Sequence, residues 1–259
     1  MSTWVLLRGL TRDSRHWGEF TLRLQQSFPK DRILAVDLPG NGSLHSQLSP
    51  TTVSAMTESC RRQLAEQSAR PPYRVLAMSL GAMVAVEWAC QYPREIECSV
   101  LINTSLRGIN PFYWRLRPRA YPTLLKQALG RRGPRDREKA VMRLTTRHPP
   151  RPEQVLQEWI DYGDRYPVSV RNAFRQLLAA ARFRASATAP PSPVLVLASE
   201  RDELVNVRCS RQLAKAWNCS IAIHPSAGHD IALDDGPWVV DSVLRWLAER
   251  AASADTGNY

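Results

Sequence analysis

The sequence predicts an α/β fold of about six mostly parallel strands with helices on both faces. Short, continuously apolar runs alternate with longer helical patterns along the chain. Unbroken apolar runs are typical of strands that are covered on both faces of a parallel sheet. The alternation of strand and helix favours a doubly wound sheet. The predicted strands are Trp4–Leu7, Arg32–Val36, Arg74–Met78, Ser99–Ile102, Val194–Leu197 and Ser220–His224.

Helical patterns lie between these strands. From Val53 to Leu64, apolar residues recur at steps of three and four and so share one helix face. Two later helices are predicted at Val207–Trp217 and Pro237–Leu247, and the second has its proline at the first turn, where proline is tolerated.

The alternation breaks once, over residues 105–187, which predicts a helical cap inserted above the strand ends. The expected organisation is a core of residues 1–104 and 188–250, the cap of residues 105–187, and a flexible tail of small and polar residues at 251–259. The predicted cap helices are Tyr121–Leu129, Asp136–Thr145, Pro152–Tyr162 and Val168–Ala181.

Composition narrows the class of protein. The 259 residues are 44% hydrophobic and 23% charged, as in ordinary globular chains, and no apolar run approaches the roughly 18 residues of a membrane span. The first residues lack the basic lead-in of a signal peptide. Five cysteines, an odd number without a CxxC pair, predict neither a disulfide framework nor a metal site. We therefore expect a cytoplasmic protein without a transmembrane segment, a metal or an organic cofactor.

The strongest functional signal is a serine between a strand and a helix. In the run VLAMSLGA at residues 75–82, a strand ends at Met78 and a helix of small residues follows Ser79 at once. So sharp a turn exposes the serine hydroxyl, and it needs the small residues Ala77 and Gly81 because two backbones approach closely there. The helix N-terminus would also offer free N–H groups to an oxyanion. The pattern indicates a nucleophile; the alternative is an ordinary strand-to-helix turn.

On this motif and four further segments, the sequence resembles the α/β-hydrolase superfamily, in the small cap-bearing branch that includes carboxylesterases and the pimeloyl-carrier-protein methyl esterase. The resemblance spans nearly the whole chain and implies an α/β-hydrolase fold. The order of serine, aspartate and histidine is the family's order. The matching segments are LLRGL at 6–10 with Trp17 for the oxyanion loop, DLPGNG at 37–42 for the second-strand loop, LASERDE at 197–203 for the acid loop and AGHD at 227–230 for the histidine loop.

An oxyanion hole needs two preorganised donors. The backbone N–H of Leu80 is the first predicted donor, and that of Leu10, in the loop that resembles the oxyanion loop, is the second. Two positions depart from the family pattern, since Ala77 stands where glycine is usual and Arg8 stands where histidine is common. Backbone donors do not depend on the Arg8 side chain. The predicted substrate contacts are Gly9, Trp17 and Trp114.

A serine hydroxyl is a poor nucleophile near neutral pH, so it needs a base whose tautomer a third group fixes. His229 is the predicted base, because it alone among five histidines lies in a glycine-flanked loop after the last predicted strand. Asp202 is the predicted acid, since it follows another strand by a short turn, and Glu200 and Asp230 are alternatives. These residues follow the carboxyl ends of strands, where ligands bind in open α/β sheets. The other histidines are His16, His45, His148 and His224.

Two cysteines are alternative nucleophiles. Cys90 lies on the helix after Ser79, and Cys98 lies at the start of a strand. Reactive cysteines occupy electropositive, partly exposed places, whereas buried ones are inert. We interpret both as buried, inert thiols.

All of the net positive charge lies in the predicted cap. The chain carries a net charge of +11, and residues 105–187 hold 18 Lys and Arg against 6 Asp and Glu, a net +12. Arginine outnumbers lysine 31 to 4, so one explanation is coding bias and a solvated face. A second is an acidic partner or substrate, such as an acyl-carrier protein. A third is contact with anionic lipid. Without a nucleic-acid motif, we expect no nucleic-acid partner.

The predicted function is hydrolysis of a carboxylic ester or thioester, with a small acyl compound as substrate. Acyl transfer and cleavage of a carbon–carbon bond by the same residues are rival reactions, because the fold does not choose between them. A non-catalytic protein that binds an acidic partner through its basic cap is the rival outside enzymology.

Overall fold

Six parallel strands form one sheet, as predicted. The protein is described by a computed structural model that covers residues 2–123 and 133–256. The strands are β1 (Thr3–Leu7), β2 (Arg32–Val36), β3 (Tyr73–Met78), β4 (Ile96–Ile102), β5 (Val194–Ser199) and β6 (Ser220–His224). Their order across the sheet is β2-β1-β3-β4-β5-β6, and every neighbouring pair is parallel. Chain order reverses between β1 and β3, which makes a crevice at the carboxyl ends of these strands.

Helices cover both faces of this sheet. The α-helices are α1 (Phe20–Ser27), α2 (Val53–Glu66), α3 (Leu80–Gln91), α4 (Phe112–Arg115), α5 (Pro134–Thr145), α6 (Pro152–Arg165), α7 (Val170–Arg182), α8 (Val207–Trp217), α9 (Ile231–Asp234) and α10 (Gly236–Thr256). Short 3-10 helices occupy Ser14–Trp17, Gly42–Leu44, Pro93–Glu95 and Pro118–Ala120. No helix of the described ranges is long and apolar enough to cross a membrane.

The strands are apolar throughout because each face meets a separate core. Val5 and Leu7 pack in the core on the side of α2, α3 and α8, whereas Trp4 and Leu6 pack in the core on the side of α1 and α10. All four side chains are fully buried. Successive strand residues point to opposite faces, so only a continuously apolar strand satisfies both cores.

Between β4 and β5 the described chain is mostly helical. Three predicted helices occur within a few residues of their expected bounds, as α5, α6 and α7, and α4 was not predicted. Most of the predicted helix Tyr121–Leu129 lies outside the described residues. The described part of this insert contains one isolated bridge, between Arg107 and Arg184.

Helix α7 is joined to the rest of the protein by side-chain amides. Asn172 accepts the backbone N–H of Ser49, at 2.9 Å, and Gln176 donates to the Asn41 side chain, at 2.7 Å. Both amides are almost fully buried. These contacts connect the insert to the loops that follow β2, a connection that an apolar pattern cannot indicate.

Helix α10 continues to Thr256, into the stretch that was predicted as a flexible tail. Its last turns contain alanines, which have the highest helix propensity. Residues 257–259 of that predicted tail lie outside the described residues.

Candidate active site

Ser79 occupies a strained turn between β3 and α3. Its backbone has φ 54° and ψ −114°, an uncommon conformation for a residue with a side chain. Its N–H donates to Ile102 O at 2.9 Å, and Thr104 Oγ1 donates to its C=O at 3.0 Å. Gly81 is required beside it, because a Cβ there would lie 2.6 Å from the carbonyl oxygen of Leu7. The turn is therefore held by contacts with two other strands.

Two backbone N–H groups near Ser79 have no hydrogen-bond partner within the described ranges. These are the N–H groups of Leu10 and Leu80, and both residues line the same cavity as Ser79. Leu80 begins α3, and the first N–H groups of a helix have no partner inside it. Gly9 allows the Leu10 loop to approach, since a Cβ on Gly9 would lie 3.0 Å from Ser79 Cβ. This arrangement could hold an oxyanion.

His229 and Asp202 form a buried pair. His229 Nδ1 lies 2.7 Å from Asp202 Oδ2, and the residues are 5% and 1% exposed. The other oxygen, Asp202 Oδ1, accepts the N–H groups of Leu204 and Val205 at 2.7 and 3.0 Å. An ionised carboxylate only accepts hydrogen bonds, so Nδ1 carries the proton and Nε2 keeps a free lone pair. This is the tautomer that a general base needs.

The serine and the histidine line one cavity of about 680 Å³. In the described chain, no hydrogen bond within 3.5 Å joins Ser79 Oγ to the His229 ring. Such contacts are often long in free enzymes and shorten when substrate binds. Most of the wall is apolar, with lining side chains that include Leu10, Met83, Leu116, Leu177, Leu204 and Val205.

Asn103, which no sequence motif marks, joins β5 to the histidine loop. It has φ 44°, a conformation that asparagine tolerates better than most residues. Its Oδ1 accepts the N–H of Ser199 at 2.9 Å, and its Nδ2 donates to the C=O of His229 at 2.7 Å. In the sequence, this residue is visible only as an asparagine directly after β4, and many loops have an asparagine at such a position.

The histidine loop has two further supports that the sequence did not reveal. His224 Nδ1 accepts the N–H of Ala227 at 2.8 Å, and its Nε2 lies 3.1 Å from Asp235. Asp234 accepts the Gly228 N–H at 2.7 Å together with two backbone N–H groups of the insert. The loop is thereby fixed from both of its ends.

The two alternative acids are engaged elsewhere. Asp230 forms a bidentate, buried ion pair with Arg8, and both side chains are at most 4% exposed. Burial alone would raise the pKa of Asp230, but the neighbouring basic groups, Arg8 first among them, hold the pKa below its usual value. Glu200 pairs with Arg211 at the surface. Asp202 is thus the carboxylate that contacts the His229 ring.

The structure does not bring two of the three predicted substrate contacts to this cavity. Gly9 lines it, whereas Trp17 lines a second cavity of about 310 Å³ and packs under Arg8. Trp114 lies outside the lining, beneath the Arg208 guanidinium. Trp17 packs instead in the core on the side of α1 and α10.

The interpretation of both cysteines as buried is wrong for one of them. Cys90 is exposed, because it lies on the outward side of α3, whereas Cys98 is buried in the sheet. Partial desolvation and the nearby Glu87 carboxylate raise the pKa of the Cys90 thiol, and burial raises the pKa of Cys98 to about 12. Both shifts favour the unreactive thiol. Within the described ranges, no cluster of three His, Cys, Asp or Glu side chains could hold a metal ion.

Comparison with known proteins gives the family. A model described as the alpha/beta hydrolase family matches residues 4–242. This chain belongs to the alpha/beta hydrolase family. No curated protein matches this alpha/beta hydrolase in sequence.

Solved structures are similar to this alpha/beta hydrolase over almost its whole length. The enol-lactonase from Burkholderia xenovorans LB400 has 20% identity over 95% of this chain and 91% of its own, with a TM-score of 0.74. A thermophilic esterase from Thermogutta terrifontis has 19% identity over 96% and 90%, with a TM-score of 0.72. A hydrolase from Pseudomonas aeruginosa PA01 has 18% identity over 95% and 89%, with a TM-score of 0.75. At these identities the likeness concerns the fold.

Proposed function

We propose that this alpha/beta hydrolase is a serine hydrolase that cleaves a carboxylic ester or thioester of a small acyl compound. One observation carries the proposal: a strained serine, a carboxylate-bound imidazole and two unpaired backbone N–H groups meet at one cavity. These are the nucleophile, the oriented base and the oxyanion donors that acyl transfer to a serine requires. The esterase among the similar structures is consistent with this reaction class.

In the proposed reaction, Ser79 Oγ attacks the carbonyl carbon while His229 Nε2 takes the hydroxyl proton. The oxyanion accepts the N–H groups of Leu10 and Leu80, and Asp202 stabilises the imidazolium. The intermediate expels the leaving group, which takes the proton from His229, and an acyl-serine remains. Water then attacks the acyl-serine, loses a proton to His229, and releases the acid and the free Ser79 hydroxyl.

We further propose that residues 105–187 are the cap of this site, above a core of residues 1–104 and 188–250. Cavity walls at Leu116 and Leu177 come from the proposed cap, whereas Ser79 and His229 come from the proposed core. Substrate would therefore bind between the two units, which is a common place for small-molecule sites.

A fluorophosphonate probe tests the nucleophile. We expect the probe to label the wild type and to leave Ser79→Ala unlabelled, because the probe reacts with an activated serine. Ser186→Ala is the matched control, since Ser186 is exposed and does not line the cavity. A folded wild type that resists the probe, or equal labelling of Ser79→Ala, would contradict the proposal.

The role of Asp202 is tested by ester hydrolysis. We expect kcat to fall by about 10⁴ in Asp202→Asn, because His229 then no longer keeps the tautomer that a base needs.

A further inference from the structure

Two arginines of the insert line the cavity without an acidic partner. Arg107 and Arg115 both contribute to the wall. Neither takes part in a salt bridge between residues that the structure describes, although many other arginines of this chain do. The stretch 124–132, with the sequence LLKQALGRR, contains no Asp or Glu. The positive charge at this wall is therefore not neutralised by a neighbouring side chain of the insert.

Arg115 is held in place with unused donors. Its Nη2 donates to the C=O of Ala180 at 2.7 Å, whereas its Nε is fully buried and has no partner in the described chain. A guanidinium has five N–H donors, and a buried donor without a partner is costly. Burial lowers the pKa of Arg115, and the like charge of Arg107 lowers it further. An anion in the cavity beside the guanidinium would offset the repulsion between the two like charges.

The remaining charges of the wall are already paired. Asp230 is the carboxylate residue of the described lining, and Arg8 binds it. Arg12 is bound by Glu138 at 2.8 Å. Two cationic residues without an acidic partner in the described chain thus line a mostly apolar cavity, and the interaction of an anion with the partly buried Arg115 would be stronger than in bulk water.

The backbone that carries the two arginines is fixed before any ligand binds. The C=O of Arg107 accepts the N–H of Ala185 at 3.0 Å, and the Asn110 side chain accepts the N–H of Leu106 at 2.8 Å. Next to Arg115 in the chain, the C=O of Trp114 accepts the N–H of Asn206 at 2.9 Å. A backbone that is already ordered lowers the entropic cost of binding a ligand beside it.

We propose that Arg107 and Arg115 bind an anionic group of the substrate other than its reacting carbonyl. The substrate class is then an ester or thioester with an apolar chain that carries a carboxylate or phosphate on its acyl part or its leaving group. The apolar wall accommodates the chain and the two guanidiniums accommodate the charge. This inference rests on the proposed hydrolase function, whose substrate class it specifies.

Two matched ester pairs test the proposal. Monomethyl octanedioate against methyl octanoate places the charge on the acyl part, and the octanoyl ester of 4-hydroxybenzoate against phenyl octanoate places it on the leaving group. We expect kcat/KM of the wild type to favour the anionic member of one pair by at least about tenfold, the factor that 1.4 kcal/mol of binding energy gives. The pair that shows the preference locates the charge.

The variants assign that preference to the two side chains. We expect the anionic-to-neutral ratio to fall about tenfold in Arg107→Gln and further in Arg107→Gln/Arg115→Gln, and Arg107→Lys to keep part of it. Arg171→Gln removes an exposed charge from α7 away from the cavity and should leave the ratio unchanged. Circular dichroism checks that each variant is folded. If substitution of Arg115 impairs folding, Arg107→Gln alone still tests the site, because Arg107 is exposed.

The two proposals fail in different ways. Hydrolysis of neutral esters that depends on Ser79, without any preference for an anion, would overturn this inference and leave the hydrolase function intact. If no ester is hydrolysed, calorimetric titration of octanedioate into Ser79→Ala decides. Binding that Arg107→Gln/Arg115→Gln abolishes would support the anion site, and the absence of binding would overturn it.

Discussion

His16 is a buried, neutral histidine between a cation and an anion. Its Nε2 lies 3.0 Å from Arg12 Nη1, and its Nδ1 lies 3.2 Å from Asp13 Oδ1. A guanidinium only donates, so Nε2 accepts from Arg12, and the Asp13 backbone N–H also lies 3.2 Å from Nδ1. The rings of Trp159 and Tyr162 enclose the imidazole. Burial, together with the positive charge of Arg12, lowers the pKa of His16 to about 4 against the opposing effect of Asp13.

This histidine makes stability depend on pH. Between pH 6.5, the ordinary histidine value, and about 4, the unfolded chain binds a proton at His16 that the folded chain does not. The free energy of unfolding therefore falls as the pH falls through this window, by about 2 kcal/mol from pH 7 to pH 5. Urea unfolding at both pH values should show a smaller decline in His16→Gln than in the wild type. His148→Gln, at an exposed site, should keep the full decline; an equal decline in all three proteins would contradict the assignment.

At the scale of elements, the loop after β1 and the loop after β6 are joined by one buried ion pair. Arg8 directly precedes Gly9 of the proposed oxyanion loop, and Asp230 directly follows His229. The Asp230 N–H also donates to Thr145 O at the end of α5, at 2.8 Å, so the insert supports the same loop. The arginine that departs from the family pattern thus couples the proposed oxyanion donor to the proposed base.

Breaking this pair from one side should be costly. Arg8→Met leaves the Asp230 carboxylate buried without a partner, and we expect it to lower the free energy of unfolding by about 3–5 kcal/mol. It should also reduce kcat, because both loops lose their common support. Arg8→Met/Asp230→Leu should lose less stability than the sum of the single variants, since no lone charge remains. Denaturant unfolding of the four proteins measures this difference.

An exposed ion pair provides the control for that cycle. Arg135 and Glu153 pair on α5 and α6 with more than half of each side chain exposed. Exposed pairs contribute about 0–1 kcal/mol, so Arg135→Met should change stability little. Equal losses in Arg8→Met and Arg135→Met would show that the buried pair has no special role.

At the scale of the whole molecule, the cavity exists because separate parts of the chain meet above the sheet. Ser79 comes from the end of β3, His229 from the loop after β6, and Ala180 from α7 of the insert. With a mostly apolar wall and about 680 Å³, the cavity offers room for a chain beyond the reacting carbonyl. Any preference of the proposed enzyme for a chain length would therefore depend on the assembled fold.

A series of neutral esters tests this property. Each buried methylene contributes about 0.8 kcal/mol, so kcat/KM should rise by up to about fourfold per added methylene until the cavity is full. Ala180→Leu narrows the wall and should shift the plateau to shorter chains while acetate esters change little. Ala248→Leu, at an exposed position of α10, is the matched control. An unchanged plateau in Ala180→Leu would mean that the acyl chain does not bind along α7.

The sequence alone determined the fold class and the strand ends at which the candidate site lies. Continuously apolar strands meet two cores, and Ser79 with Gly81 marks a turn that few contexts allow, so local patterns carried this information. The tertiary structure decided the rest. It joined Asp230 to Arg8, placed Trp17 at a second cavity, and left Arg107 and Arg115 without an acid among the residues that the structure describes. Pairing and burial depend on residues that are distant in the chain, and no pattern of neighbours along a sequence records which of them meet.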